Sequence, residues 1–114
     1  MAITEIYVDT GTSISTTEYS LTGDTASVQA QTSDAMIQAF IDFANMVAGD
    51  QYEVKVYDKV YAAGSQRVIY HAVLDGPQTS PLVTPALIVM HGWDVTVKRL
   101  AGSDRSVSWS IRAP

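Results

Sequence analysis

The chain contains no cysteine. Disulfides and thiolate zinc sites are therefore excluded. It also has no Lys or Arg ahead of Lys55, although Glu5, Asp9, Glu18, Asp24, Asp34, Asp42, Asp50 and Glu53 all fall in that stretch. A protein that grips nucleic acid gathers basic side chains on one face, and an anionic lipid surface asks for the same. Twelve acids against seven bases leave a net charge of −5, so no nucleic-acid and no membrane partner is expected. Long apolar runs are missing as well. The longest spans Ala86 to Met90, far short of the ~20 residues that cross a bilayer. No basic stretch followed by an apolar run opens the chain, so no signal peptide is expected. Charged residues make up 17%, below the usual ~25%.

Ser, Thr and Ala fill the space that charge leaves. Residues 1–34 hold thirteen Ser or Thr. Such side chains lose little rotamer entropy when covered, which suits strands and surfaces hidden against neighbours. A length of 114 residues fits one domain, 1–114. Area scaling lets it hide roughly two-thirds of its unfolded surface, enough for one core.

Alternation gives the elements. Residues 3–8 read as a strand, "DTGTS" at 9–13 as a turn, and 13–21 as a weak Thr-rich strand. After a turn at 22–24, Ala26, Val28 and Ala30 alternate with polar residues. Residues 33–48 fit two templates, a helical stripe or a strand with Ile37, Ala39, Ile41 and Phe43 on one face. The working assignment is a strand to about Asp42 and one helical turn near 43–48, closed by Gly49. Tyr52, Val54, Val56 and Val60 line one face of the next strand, and Val68, Tyr70, Ala72 and Leu74 return as its hairpin partner. Residues 75–85 carry three prolines and read as a loop. "ALIVM" at 86–90 reads as a strand covered on both faces. Finally, Trp93, Val95 and Val97 alternate as do Val107, Trp109 and Ile111. A hairpin around Gly102 would set Val97 against Val107, Val95 against Trp109 and Trp93 against Ile111. The sum is an all-β, single-domain antiparallel β-sandwich of jelly-roll or Greek-key type.

Motifs for chemistry are sparse. Asp9-Thr10-Gly11 after an apolar strand matches the signature of aspartic proteases, in which two carboxylates share a proton. The second element of that family, an apolar pair before a glycine near the C-terminus, is poorly matched by "VMHGWD" at 89–94. A plain turn with Asp9 bonded to its own backbone is the preferred reading of the motif, and a homodimeric aspartic protease with Asp9 as its catalytic carboxylate is the remote alternative. His91 and Asp94 offer two metal ligands without supporting spacing, and His71 sits among outward strand residues. Tyr57 and Tyr61, with Lys55 and Lys59, would share an outward face as a surface aromatic patch for sugar stacking. No enzyme activity and no cofactor is expected.

Two blocks carry a resemblance. One is "AMIQAFIDFANMVAGDQYEVKVYDKV" with "QRVIYHAVL"; the other is "PALIVMHGWDVTVKRLAGSDRSVSWSIR". Together they resemble a family of small tailed-bacteriophage virion proteins. The resemblance implies a structural component of the virion, and within it a capsid decoration (cement) protein on the capsid surface. Such a protein would bind the major capsid protein as a homo-oligomer, with a trimer favoured. A neck or tail component fits the same blocks, and a module binding carbohydrate or a host surface is the reading from another class. The expected contacts are Ile3, Ile6 and Tyr7, in an N-terminal arm within residues 1–12, and Pro77, Pro81 and Leu82 in the proline-rich loop.

Overall fold

Alternating side chains need a second layer to cover them, and here the chain supplies that layer by changing sheet at almost every turn. The computed structural model describes residues 2–114. Among the described residues there are nine strands: β1 (Thr4–Ile14), β2 (Tyr19–Ser20), β3 (Ala35–Asp42), β4 (Gln51–Asp58), β5 (Arg67–Asp75), β6 (Leu82–Val83), β7 (Leu87–Val89), β8 (Asp94–Ala101) and β9 (Arg105–Ala113). One sheet runs β1-β9-β3-β6, with β7 also on β3; the other runs β2-β8-β4-β5. All pairings between strands are antiparallel. Nearly continuous registers on β3 make β6 and β7 one interrupted strand. With those two taken together, the order is that of a jelly roll.

The core lies between the sheets. β3 contributes Ile37, Ala39 and Ile41, and β9 contributes Val107, Trp109, Ile111 and Ala113. Facing them are Tyr52, Val54 and Val56 from β4 and Val95 and Val97 from β8, with Trp93 just ahead of β8. Burial of this set at ~25 cal/mol per Å2 is the main favourable term. Two edge-to-face contacts tie the layers: Tyr7 to Trp93 at 6.1 Å and Tyr19 to Trp109 at 6.0 Å.

Several expectations change. The last two strands are not a hairpin: β8 pairs with β2 and β4, whereas β9 pairs with β1 and β3. Their apolar sets face each other across the core, and the turn at Gly102 (φ +87°) is an arch between sheets. "DTGTS" is no turn; it lies inside β1, where the register shifts between Asp9 and Thr12. Residues 25–31 form a loop held by a bridge from Gln31 to Trp93 and not a strand. The segment 43–48 makes turns, with Met46 N–H donating to Phe43 O at 3.0 Å, and no helix occurs among the described residues. β7 is an edge segment, and Ile88 on it is 75% exposed, not covered on both faces. Val60 falls after β4 ends at Asp58 and is exposed.

Candidate functional surface

The side chains that point away from the core decide what the molecule can touch. On the β1-β9-β3 sheet these are Met36, Phe40 and Asp42 from β3, Ser108, Ser110 and Arg112 from β9, and Glu5 and Val8 from β1. The register sets Phe40 beside Ser110 and Gln38 beside Arg112, with Glu5 on the other side of Arg112. Arg112 folds back over the Phe40 ring, its guanidinium carbon 3.8 Å from the ring centroid. Its Nε donates to Ser110 Oγ at 3.1 Å, and the Ser110 hydroxyl donates to Glu5 Oε2 at 2.5 Å. Three strands thus lock one cation onto one aromatic face.

That ridge divides two shallow hollows. The first, about 430 Å3, is lined by Asp9, Asp42, Pro81 and Ser108. The second, about 360 Å3, is lined by Ile3, Met36, Ala86 and Pro114. Both share Phe40 and Arg112. Ile3 is 59% exposed and Met36 51%. The surface is therefore acidic on one side of the ridge and apolar on the other.

Both carboxylates of the first hollow accept a backbone N–H from two residues on. Asp9 Oδ1 accepts the Gly11 N–H at 2.8 Å, and Asp42 Oδ1 accepts the Ala44 N–H at 2.9 Å. Each holds its own bend of chain. The Asp-Thr-Gly motif lies within β1, at its second register shift.

The other named residues are scattered. Residues 4–12 belong to β1 and pair with β9 rather than standing free as an arm. Ile3 and Pro81 line the hollows and Ile6 is exposed. Tyr7 and Leu82 pack against the core, and Pro77 lies by a separate hollow with Gly49 and Gly76. Tyr57 and Tyr61 do not form one row. Tyr57 is half-buried and donates to Glu18 Oε2 at 2.6 Å, while Tyr61 is exposed in the turn beyond β4. Burial first, and then the Glu18 carboxylate, push the Tyr57 phenol well above its ordinary value.

The histidines are also apart. His71 Nε2 lies 2.7 Å from Glu53 Oε2 on the outer face of the second sheet. Burial alone would raise the Glu53 carboxyl, but the bonds from His71 and Lys55 outweigh it and lower it. His91 sits half-buried by a hollow with Ala30 and Lys59. Asp94 is fully buried and takes four donors: Ser20 Oγ at 2.9 Å, Thr22 Oγ1 at 2.7 Å, Gln29 N–H at 2.8 Å and Val95 N–H at 2.8 Å. Its carboxylate is spent on the loop at 20–29. Among the described residues no group of three or more His, Asp or Glu could hold a metal.

Sequence reading passed over Phe40, Arg112 and Asp42. The strand template for 33–48 already put Phe40 and Asp42 on the face opposite Ile37, Ala39 and Ile41. The alternation of Val107, Trp109 and Ile111 likewise put Arg112 outward. What alternation could not show is that these two outward faces lie on neighbouring strands.

Comparison with family models, with curated proteins and with solved structures gave no match.

Proposed function

We propose that this protein acts by covering surface, as a non-catalytic structural component of a phage virion that decorates the capsid. The observation that carries the reading is the two-part face around Phe40 and Arg112. It presents Ile3 and Met36 beside the carboxylates of Asp9 and Asp42. The virion assignment draws on the resemblance of the two sequence blocks. The partner would be the major capsid protein, offering a basic residue to the acidic hollow and apolar side chains to the other. Removing this apolar area from water yields ~25 cal/mol per Å2, offset by the cost of immobilisation. A homo-oligomer, with the trimer favoured, is what the resemblance implies.

The test is occupancy on capsid shells stripped of this protein. The parent should rebind at saturable stoichiometry. Met36→Lys with Ile88→Lys, both at exposed positions of that sheet, should weaken binding by about tenfold or more. Val60→Lys, 80% exposed beyond β4, should not. A parent that ignores shells, or a double variant that binds as well as the parent, would overturn the reading.

A further inference from the structure

We propose that two copies of this chain pair through the free edge of β5, continuing the β2-β8-β4-β5 sheet across a two-fold axis at Val73. The inference goes beyond the capsid reading and does not rest on it.

An unpaired strand edge is a template for another strand, and proteins guard such edges with charge, bulges or brevity. Three of the four edges here are guarded. β1 has two register shifts and carries Glu5 and Asp9. β2 is two residues long and turns back on itself through a bridge from Ser20 to Thr25. β6 and β7 are two and three residues long. β5 runs for nine residues, Arg67–Asp75, with no charge between its ends except through His71. Its single irregularity falls at Ile69, which leaves 70–75 regular. Val73 is 44% exposed on it.

The direction of its backbone groups can be read. Gly76 N–H donates to Asp50 O at 2.9 Å, so the even-numbered residues of the regular run bond to β4. The N–H and C=O groups of His71, Val73 and Asp75 therefore face outward along the edge; of these, the Asp75 C=O already accepts Gln78 Nε2 at 3.1 Å, a contact that a second strand shares or displaces. A second copy, antiparallel and centred on Val73, meets them with the same three residues and forms about six backbone hydrogen bonds.

The side chains of that register are self-complementary. Val73 meets Val73 of the second copy at the axis. His71 meets Asp75 of the second copy, once on each side of the axis, so an imidazole bonded to Glu53 through Nε2 offers its other nitrogen to that carboxylate. Ala72 meets Leu74 on the inner face. Tyr70, the bulkiest residue of the run, meets Gly76, which has no side chain. The pairing also has natural ends. Gly76 (φ +66°) turns the chain, Pro77 has no N–H to continue the ladder, and Ile69 breaks the register at the other end. Such an isologous contact closes at two copies and is separate from any trimer.

Light scattering on the purified chain tests this from about 10 μM to about 1 mM, the range of a modest edge contact. The mass should approach twice the 12.3 kDa of one chain. Amide exchange should show His71, Val73 and Asp75 gaining protection as concentration rises, while Tyr70, Ala72 and Leu74 are protected throughout. Val73→Lys should shift half-association by about tenfold or more with an unchanged circular dichroism spectrum. Val68→Lys, outside the regular run, should not. Should Val73→Lys fail to fold, exchange in the parent decides alone. A mass that stays at 12.3 kDa, a folded Val73→Lys that associates like the parent, or protection that grows elsewhere than 71–75 would each overturn the proposal.

Discussion

Asp94 offers the sharpest test of how this sandwich holds its longest loop. Its carboxylate is fully buried with no cation beside it, and four donors converge on it. Asp94→Ala leaves those donors without an acceptor. The Ser20 and Thr22 hydroxyls already lie 3.4 Å apart and can turn to each other. The N–H groups of Gln29 and Val95 have no such recourse. An unmatched buried donor costs ~1–3 kcal/mol; Val95 N–H bears this in full, and Gln29 N–H, which is part-buried, bears less. Relief from holding a buried charge offsets part of this, and ~2 kcal/mol is the expected net loss. For a domain of this size that lowers Tm by about 8 °C. Asp94→Asn keeps the acceptor for Ser20, Thr22 and Val95 but turns an NH2 toward Gln29 N–H, and should fall between. Thermal melts followed by circular dichroism give the numbers. Amide exchange should show Gln29 and Gln31 opening first. An Asp94→Ala variant that melts within about 2 °C of the parent, or that loosens residues 20–31 no more than the rest, would refute the account.

Two further outcomes follow from the arch between β8 and β9. Gly102 has φ +87°, and a Cβ there would sit 2.7 Å from Asp50 Cα; Gly102→Ala should cost about 3 kcal/mol. Gly76→Ala, at φ +66° with nothing within 4 Å, should cost only about 1 kcal/mol, so equal urea midpoints for the two would contradict the packing argument. Arg105, then the Val47 and Ser103 N–H groups, pull the Asp50 carboxyl from 3.8 down to about 2. Its folded value lies below its unfolded one, so its contribution is complete above about 3.8 and is lost as pH falls toward about 2. The gap in urea midpoint between the parent and Asp50→Asn should narrow across that window, and a constant gap would count against the ion pair.

Alternation made most of the core legible and hid the connectivity. Ile37, Ala39 and Ile41, or Val107, Trp109 and Ile111, announce an inward face, because a strand's side chains repeat every second residue. The β4–β5 hairpin was readable for the same reason, with its partners adjacent in sequence. The β8–β9 arch was not. Two strands that share a core look alike whether they lie side by side or face to face, and only the partner of each edge separates the cases. What decides it here is remote: β9 is taken by β1 and β3, and β8 by β2 and β4. The ridge of Phe40 and Arg112 was hidden for a related reason. Both positions were assigned outward by parity, yet they are 72 positions apart in the chain, and the β3–β9 register alone brings them together. The segment 25–31 misled because Asp94 captures it from below; alternation there is incidental to its fold.

The two proposed surfaces have a geometric relation that bears on what the protein could do with both. A two-fold axis at Val73 stands perpendicular to the β2-β8-β4-β5 sheet, so the other sheet of each copy packs on the same side of the extended layer. The Phe40–Arg112 faces of both copies then point in one direction. A dimer would meet a regular lattice with two contacts at once, and the second contact would act at an effective concentration set by the rigid spacing between them. A weak single contact would then suffice for stable coverage. The consequence separates the two ideas cleanly. Val73→Lys leaves the Phe40–Arg112 face untouched, so it should lower occupancy on shells only at concentrations where the parent is dimeric. Met36→Lys with Ile88→Lys should lower occupancy at every concentration and leave the solution mass unchanged.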